Sequence, residues 1–334
     1  MRYGYKASAE QFGTTELLRY GVTAEELGYD LVAVSDHFQP WRHHGGHAPL
    51  VFTWLGALAA STSRVTLGTS VLTPILRYHP SVVAQGFATL AQLAPGRVLL
   101  GVGSGEAMNE VPATGADWPS GKERRARLRE AVQLIRALWT GERVSFDGTY
   151  YQTKLATVYE RPDSPPPIYL AASGPLAGKL VGRIGDGLIA TSGKPDENYA
   201  GVLAGMHEAA EKAGRPTGLP QQIEIKVSYD RDRDKAAADC SWWAALGLAA
   251  DVKQGVDDPL ELERLADADP SVATKRFIVT DDADEVVERV RRYVDLCFTD
   301  LVFHAPGPDQ ETFLREFAAD VLPKLKRAYG DGEG

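Results

Sequence analysis

The stretch V-L-L-G-V-G-S-G-E, Val98–Glu106, decides between two α/β folds. Val98 to Val102 are apolar or glycine without alternation, the pattern of a parallel strand covered on both faces. The glycines that follow invite a dinucleotide-binding turn, but the G-x-G-x-x-G spacing fails. Counted from Gly101 the third glycine position holds Glu106, and counted from Gly103 it holds Met108. The run is also the fourth strand of the chain, where a Rossmann fingerprint belongs to the first. Working outward, similar runs lie at Arg2–Lys6, Asp30–Ser35, Val65–Leu72, Ile168–Ala172, Gly187–Thr191, Ile223–Tyr229 and Asp300–His304. Helical patterns fill the gaps. Leu128, Val132, Ile135 and Trp139 recur at helical spacing before Gly141, and Phe313, Leu314, Phe317, Val321 and Leu325 mark a last helix. Strand and helix alternating eight times predict an α/β fold of the (β/α)8 TIM barrel type, not an open doubly wound sheet.

The reading places all 334 residues in one barrel domain with two longer excursions. One, around Phe146–Pro167, contains the stiff D-S-P-P-P segment. The other, Asp230–Arg276, carries Trp242, Trp243 and Lys253. With 44% hydrophobic and 24% charged residues the composition is that of a globular protein. A net charge of −9 argues against nucleic acid or an anionic membrane as partner. The basic residues Lys122, Arg124, Arg125 and Arg127 are interleaved with Glu123 and Glu130 and read as a solvated helix face. No apolar run approaches the roughly 18 residues of a membrane span. Cys240 and Cys297 stand far apart, which suits buried thiols in a cytoplasmic protein.

In a barrel the chemistry sits where strands end. Six of the eight ends are polar: Asp36-His37, Ser70–Thr73, Gly103–Glu106, Ala172–Pro175, Thr191–Lys194 and His304. His37, His43, His44 and His47 crowd one loop, but their spacing matches no metal framework. Asp36-His37 suits proton transfer or a hydrogen-bonded polar loop, and position alone leaves both open. The glycine-rich end before Glu106 would let a flat ring approach the backbone. Glu106 itself reads as an acid/base or as a helix cap. Ser173-Gly174-Pro175 opens a helix whose free amides suit a phosphate, or which Ser173 simply caps. Lys194 is a lone strand-end cation, on position a surface lysine.

These pieces together resemble the coenzyme F420-dependent glucose-6-phosphate dehydrogenases of the luciferase-like superfamily. The resemblance is carried by G-Y-K-A-S-A-E-Q (4–11), S-D-H-F-Q-P-W-R (35–42), G-G-H-A-P (45–49), L-G-T-S-V-L-T-P (67–74), G-V-G-S-G-E-A-M-N-E (101–110), D-D-P (257–259) and L-V-F-H-A-P-G (301–307). It covers nearly the whole chain. It implies a deazaflavin, coenzyme F420, set against Asp36, a non-proline cis peptide at Ser70-Val71, Thr73, Gly105 and Asn109, with its phosphate at Ser173-Gly174-Pro175. It implies hydride transfer from C1 of a hexose 6-phosphate to C5 of F420, giving the 6-phosphogluconolactone. His37 would take the C1 hydroxyl proton with Asp36 in support, Trp41 would contact the sugar, and Glu106 would serve the ring's N1 side. Lys194, Lys253 and Arg276 would hold the sugar phosphate, and His43, His44 and His47 would be structural. Such enzymes are commonly homodimers.

One departure matters. The family often has histidine after the lysine matching Lys253, whereas this chain has Gln254. Glutamine carries no charge, so the phosphate anchor is expected to survive while the sugar-ring contacts differ. Glucose 6-phosphate is the expected substrate, with fructose or mannose 6-phosphate as alternatives. The competing readings are an F420-dependent alcohol dehydrogenase, a flavin monooxygenase, a metal-dependent barrel hydrolase and a non-catalytic deazaflavin-binding protein.

Overall fold

The computed structural model describes residues 1–249, 252–253 and 256–331. Its backbone falls into two compact units, residues 1–49, 190–195 and 220–334, and residues 50–189 and 196–219.

The first unit contains β1 (Arg2–Ala7) and β2 (Leu31–Val34). It also holds a later set, labelled in chain order β9 (Gln221–Tyr229), β10 (Ile278–Thr280) and β11 (Asp300–His304). All pair in parallel, β10 to β9 to β11 to β1 to β2. In a parallel ladder, paired residues share a face. Tyr5↔Phe303 and Phe303↔Ile225 therefore mark one side, and Val302↔Glu224 and His304↔Lys226 the other. The first side is apolar and buried, and Tyr3 and Tyr5 pass through it to give their hydroxyls to the Leu325 carbonyl and to Gln310 Oε1. The second side carries Lys6, Glu224, Lys226 and His304, all largely withdrawn from water.

The second unit contains β3 (Thr66–Thr69), β4 (Val98–Val102), β7 (Ile168–Ala171) and most of β8 (Gly187–Thr191), again parallel and paired in that order. The helix Gly121–Thr140 packs here by Leu128, Val132, Ile135 and Trp139, and Ser120 caps it by accepting from Glu123 N.

All eight expected strands form, with ends within two or three residues of the sequence reading. Three more appear. The Phe146–Pro167 excursion begins with an antiparallel hairpin, β5 (Val144–Asp147) and β6 (Gln152–Ala156), and β10 adds a short strand beside β9. The hairpin was hidden because its strands are mostly exposed and show no clean apolar alternation. The last helix has all five predicted apolar residues buried, with a π turn at Phe317–Val321 between two α segments. The Asp230–Arg276 excursion is largely helical where described and includes a helix at Pro259–Asp267. Among the described residues no helix is long and apolar enough to cross a membrane.

Candidate functional site

On the polar side of the first unit, Glu224 is the hub. Its Oε1 lies 2.7 Å from Lys226 Nζ and 3.5 Å from His304 Nδ1, and its Oε2 lies 3.5 Å from Lys6 Nζ. Burial alone would raise the Glu224 pKa. The charges of Lys226 and Lys6 and the His304 ring more than offset this and hold it well below the ordinary carboxylate range. His304 is itself buried between Trp243 and Phe277, and that burial lowers its pKa.

Where β1 and β2 end, the chain delivers a carboxylate and an imidazole to one place. His37 Nε2 is 3.3 Å from Glu10 Oε1. Its Nδ1 is 3.1 Å from the Gln39 carbonyl. Glu10 also accepts from Ser35 Oγ at 2.7 Å. Burial pushes its pKa up, but His37, Lys6 and the Ser35 hydroxyl bring it below the ordinary value. The Trp41 ring lies 6.2 Å from that of His37.

A second feature of the same unit is a turn at the end of β8. Lys226 Nζ donates to Thr191 Oγ1 at 2.7 Å, and Arg276 Nη2 donates to the Ser192 carbonyl at 2.8 Å. Gly193 has a φ of +81°, and a Cβ there would meet Arg276 Nε at 3.0 Å, so glycine lets the arginine lie against the turn. Burial lowers the pKa of the Lys194 ammonium, and the charges of Arg276 and Lys226 lower it further. Three cations thus crowd one turn, and Arg276 Nε is buried without a hydrogen-bond partner among the described residues. Lys253 Nζ donates to the Leu246 carbonyl at 2.7 Å.

The second unit offers backbone where the first offers charge. The Ser70-Val71 peptide is cis. Gly101 lies so close to Thr69 that a Cβ would sit 1.9 Å from its carbonyl oxygen, and a Cβ on Gly103 would meet Val71 Cγ2 at 2.8 Å. The glycine run of Val98–Glu106 is therefore required in part by its own neighbouring strand end. Gly105, with a φ of +75°, brings the backbone against Thr73 and Trp118. Glu106 precedes the helix Ala107–Thr114 and its side chain makes no capping bond, so the cap reading is excluded. Asn109 follows, buried. The helix Pro175–Ile184 opens on Gly174, again with no side-chain cap, and a Cβ on Gly174 would meet nothing within 4 Å. Ser173 does not cap it. The first amides of such a helix have no intrahelical acceptor, and Pro175 at its start donates none.

The first unit therefore gathers Asp36, His37 and Trp41 at one strand end and Lys194 with Arg276 at another. The second gathers Ser70, Val71, Thr73 and Gly105, with Glu106 and Asn109 adjacent and Ser173-Gly174-Pro175 on their own helix start. Gln254 lies outside the described residues. Glu10, Lys6, Glu224 and Lys226 are functional candidates that the sequence reading missed. The alternation I-E-I-K-V-S in β9 is a readable signal for two of them, since it puts charges on one face of a strand. Glu10 stands just past the end of β1, which is not among the six polar strand ends. His44 Nδ1 lies 3.1 Å from Glu263 Oε1. Among the described residues no group of His, Cys, Asp and Glu is arranged to hold a metal ion.

The profile of the family described as Luciferase-like monooxygenase matches residues 1–300, and the chain belongs to that family. Its fold class is accordingly the (β/α)8 barrel. An F420-dependent glucose-6-phosphate dehydrogenase of Beutenbergia cavernae is 59% identical over 98% of this chain and 98% of its own length. One of the same description from Nakamurella multipartita is 56% identical over 99% and 98%. Among solved structures, an F420-dependent secondary alcohol dehydrogenase in complex with an F420-acetone adduct is 34% identical, with a TM-score of 0.91 over 97% of this chain and 98% of that one.

Proposed function

We propose that this protein is a coenzyme F420-dependent sugar-6-phosphate dehydrogenase acting on glucose 6-phosphate. The observation that carries the choice of substrate is the turn Thr191–Lys194, where Lys194 and Arg276 meet and an arginine N–H is buried with no partner among the described residues. Crowded cations with a spare donor suit a phosphate dianion, which relieves their repulsion and takes the hydrogen bond. An unphosphorylated alcohol gives no reason to keep them. The relatives described as glucose-6-phosphate dehydrogenases point the same way.

The residues fit the coenzyme. The uncapped helix start at Ser173-Gly174-Pro175 suits its phosphate, with donors and a helix dipole and with room at Gly174. Ser70, Val71, Thr73, Gly105 and Asn109 would line its ring. When bound, the deazaflavin supplies the hydride acceptor. The chain's own contribution is to place the sugar and move its proton. His37 Nε2 takes the proton of the C1 hydroxyl, and the carboxylate 3.3 Å away stabilises the imidazolium that results. That carboxylate is Glu10, with Asp36 buried at the same strand end. Trp41 would shield the sugar and orient it, and Glu106 would serve as an acid/base beside the ring. Lys194, Lys253 and Arg276 anchor the phosphate, while Gln254 adjusts the sugar contacts. The same reading carries a single barrel domain, a homodimer and a cytoplasmic location, with neither nucleic acid nor membrane as partner.

The test is to mix purified protein with oxidised F420 and follow its visible absorbance as sugars are added. Bleaching by glucose 6-phosphate, and not by glucose, is expected. Fructose and mannose 6-phosphates then rank the sugar contacts. No bleaching by any sugar phosphate, with the coenzyme bound, would remove the reading.

A further inference from the structure

We infer that Glu263 is a positioning residue for this reaction, acting through the loop that carries Trp41. The inference rests on the functional reading above for its activity arm and on geometry alone for the rest. Glu263 belongs to the helix Pro259–Asp267, inside the long excursion, and its side chain is only 9% exposed. All of its described partners come from one short stretch of the loop after β2. Oε2 accepts from the backbone N–H groups of His43 and His44 at 3.0 and 2.9 Å. Oε1 lies 3.0 Å from Arg42 Nη2, and His44 Nδ1 is 3.1 Å from both oxygens. Arg42 also forks onto Asp267, with contacts of 2.8 and 3.0 Å.

The loop's two ends are fixed elsewhere, on Glu10. His37 meets the Glu10 carboxylate, and His47 N donates to the Glu10 carbonyl at 2.8 Å. Between these ends the loop closes on itself at Gly46, where a Cβ would sit 2.3 Å from the Arg42 carbonyl oxygen. Trp41 is the residue before this clasp, and its indole makes no hydrogen bond within the described chain. Its placement beside His37 is therefore inherited from its neighbours, and Glu263 fixes the three residues that follow it. Charge-assisted bonds to two adjacent amides set backbone direction as well as position, which a surface ion pair does not. A shift of about 1 Å in a substrate-orienting group can cost up to roughly 100-fold in rate.

The test compares Glu263→Gln, which keeps an acceptor for the amides but loses the charge, with Glu263→Ala. Fluorine NMR of fluorotryptophan-labelled protein, with the Trp41 resonance assigned by its loss in Trp41→Phe, reads the indole directly. A shifted or broadened Trp41 resonance is expected in both variants. At saturating F420 a roughly tenfold fall in kcat is expected, with the F420 Kd within about twofold of the unsubstituted enzyme. In a Trp41→Phe background the same substitutions should cost less than about twofold. An unmoved Trp41 resonance overturns the inference, as does an equal loss of kcat with and without Trp41. Absence of turnover in the unsubstituted enzyme strikes the functional reading instead, and the Trp41 resonance then decides this one.

Discussion

The two compact units hold their functional residues by opposite means. The first works with charge: Lys6, Glu10, Glu224 and Lys226 are buried or nearly so, each compensated by another, and Lys194 and Arg276 crowd the β8 turn beside them. The second works with backbone: a cis peptide, glycines packed against neighbouring strands, and a helix start left uncapped. The contrast follows from the ligands proposed for each. A small, doubly charged sugar phosphate is held by side chains that can neutralise it and exchange a proton. A broad, flat ring needs room, and a side chain fills room where a glycine leaves it. It follows that substitutions in the first unit should change catalysis, sugar affinity and pH behaviour, while those in the second should change coenzyme affinity.

The sharpest way to break that division is at His37. His37→Asn is expected to lower kcat by roughly 10²–10⁴-fold, the usual worth of a positioned general base. Steady-state turnover beside a fluorescence titration of F420 checks it, and a coenzyme affinity lost to the same degree would dissolve the distinction. Next comes the charge hub. The Glu224 carboxyl ionises in the folded state well below its ordinary value of 4.5, so its contribution is complete above that pH and is lost as the pH falls toward the folded value. Glu224→Gln should therefore flatten the acid limb of a Tm-against-pH curve. It should also lower stability at neutral pH by about 3–5 kcal/mol, because it strands the buried ammonium of Lys226.

Lys194 sharpens the comparison in another direction. Lys194→Met should raise KM for glucose 6-phosphate by roughly 100-fold, as expected for a lost charged partner of a phosphate. The same change removes a repelled cation, so the free protein should melt about 1–2 °C higher. A fall in Tm would show that the cation is not under strain from its neighbours. The smallest effect is expected in the second unit. Gly174→Asp has space for its side chain and supplies the missing helix cap, so it should stabilise the helix slightly. The same carboxylate should weaken F420 binding about tenfold by repelling its phosphate, with the sugar KM unaltered.

The sequence by itself determined the fold class. Eight β-rich runs separated by helical periods leave little choice of architecture, and the failed spacing at Gly101–Glu106 removes the main competitor. It also marked the strand ends where polar residues collect, because these are legible one strand at a time, as at Asp36-His37 and Thr191–Lys194. Only the tertiary structure decided which of them meet. Glu10 and His37 belong to different strand ends, and nothing local in either segment shows that β1 and β2 pair in the register that joins them. Lys194 and Arg276 are brought together by a turn whose glycine must be seen in three dimensions to be understood. Glu263 is one acid among several on an amphipathic helix until the loop after β2 is laid across it. Periodicity records which way a side chain faces within its own element. The partner it faces is set by packing, and no single element carries that information.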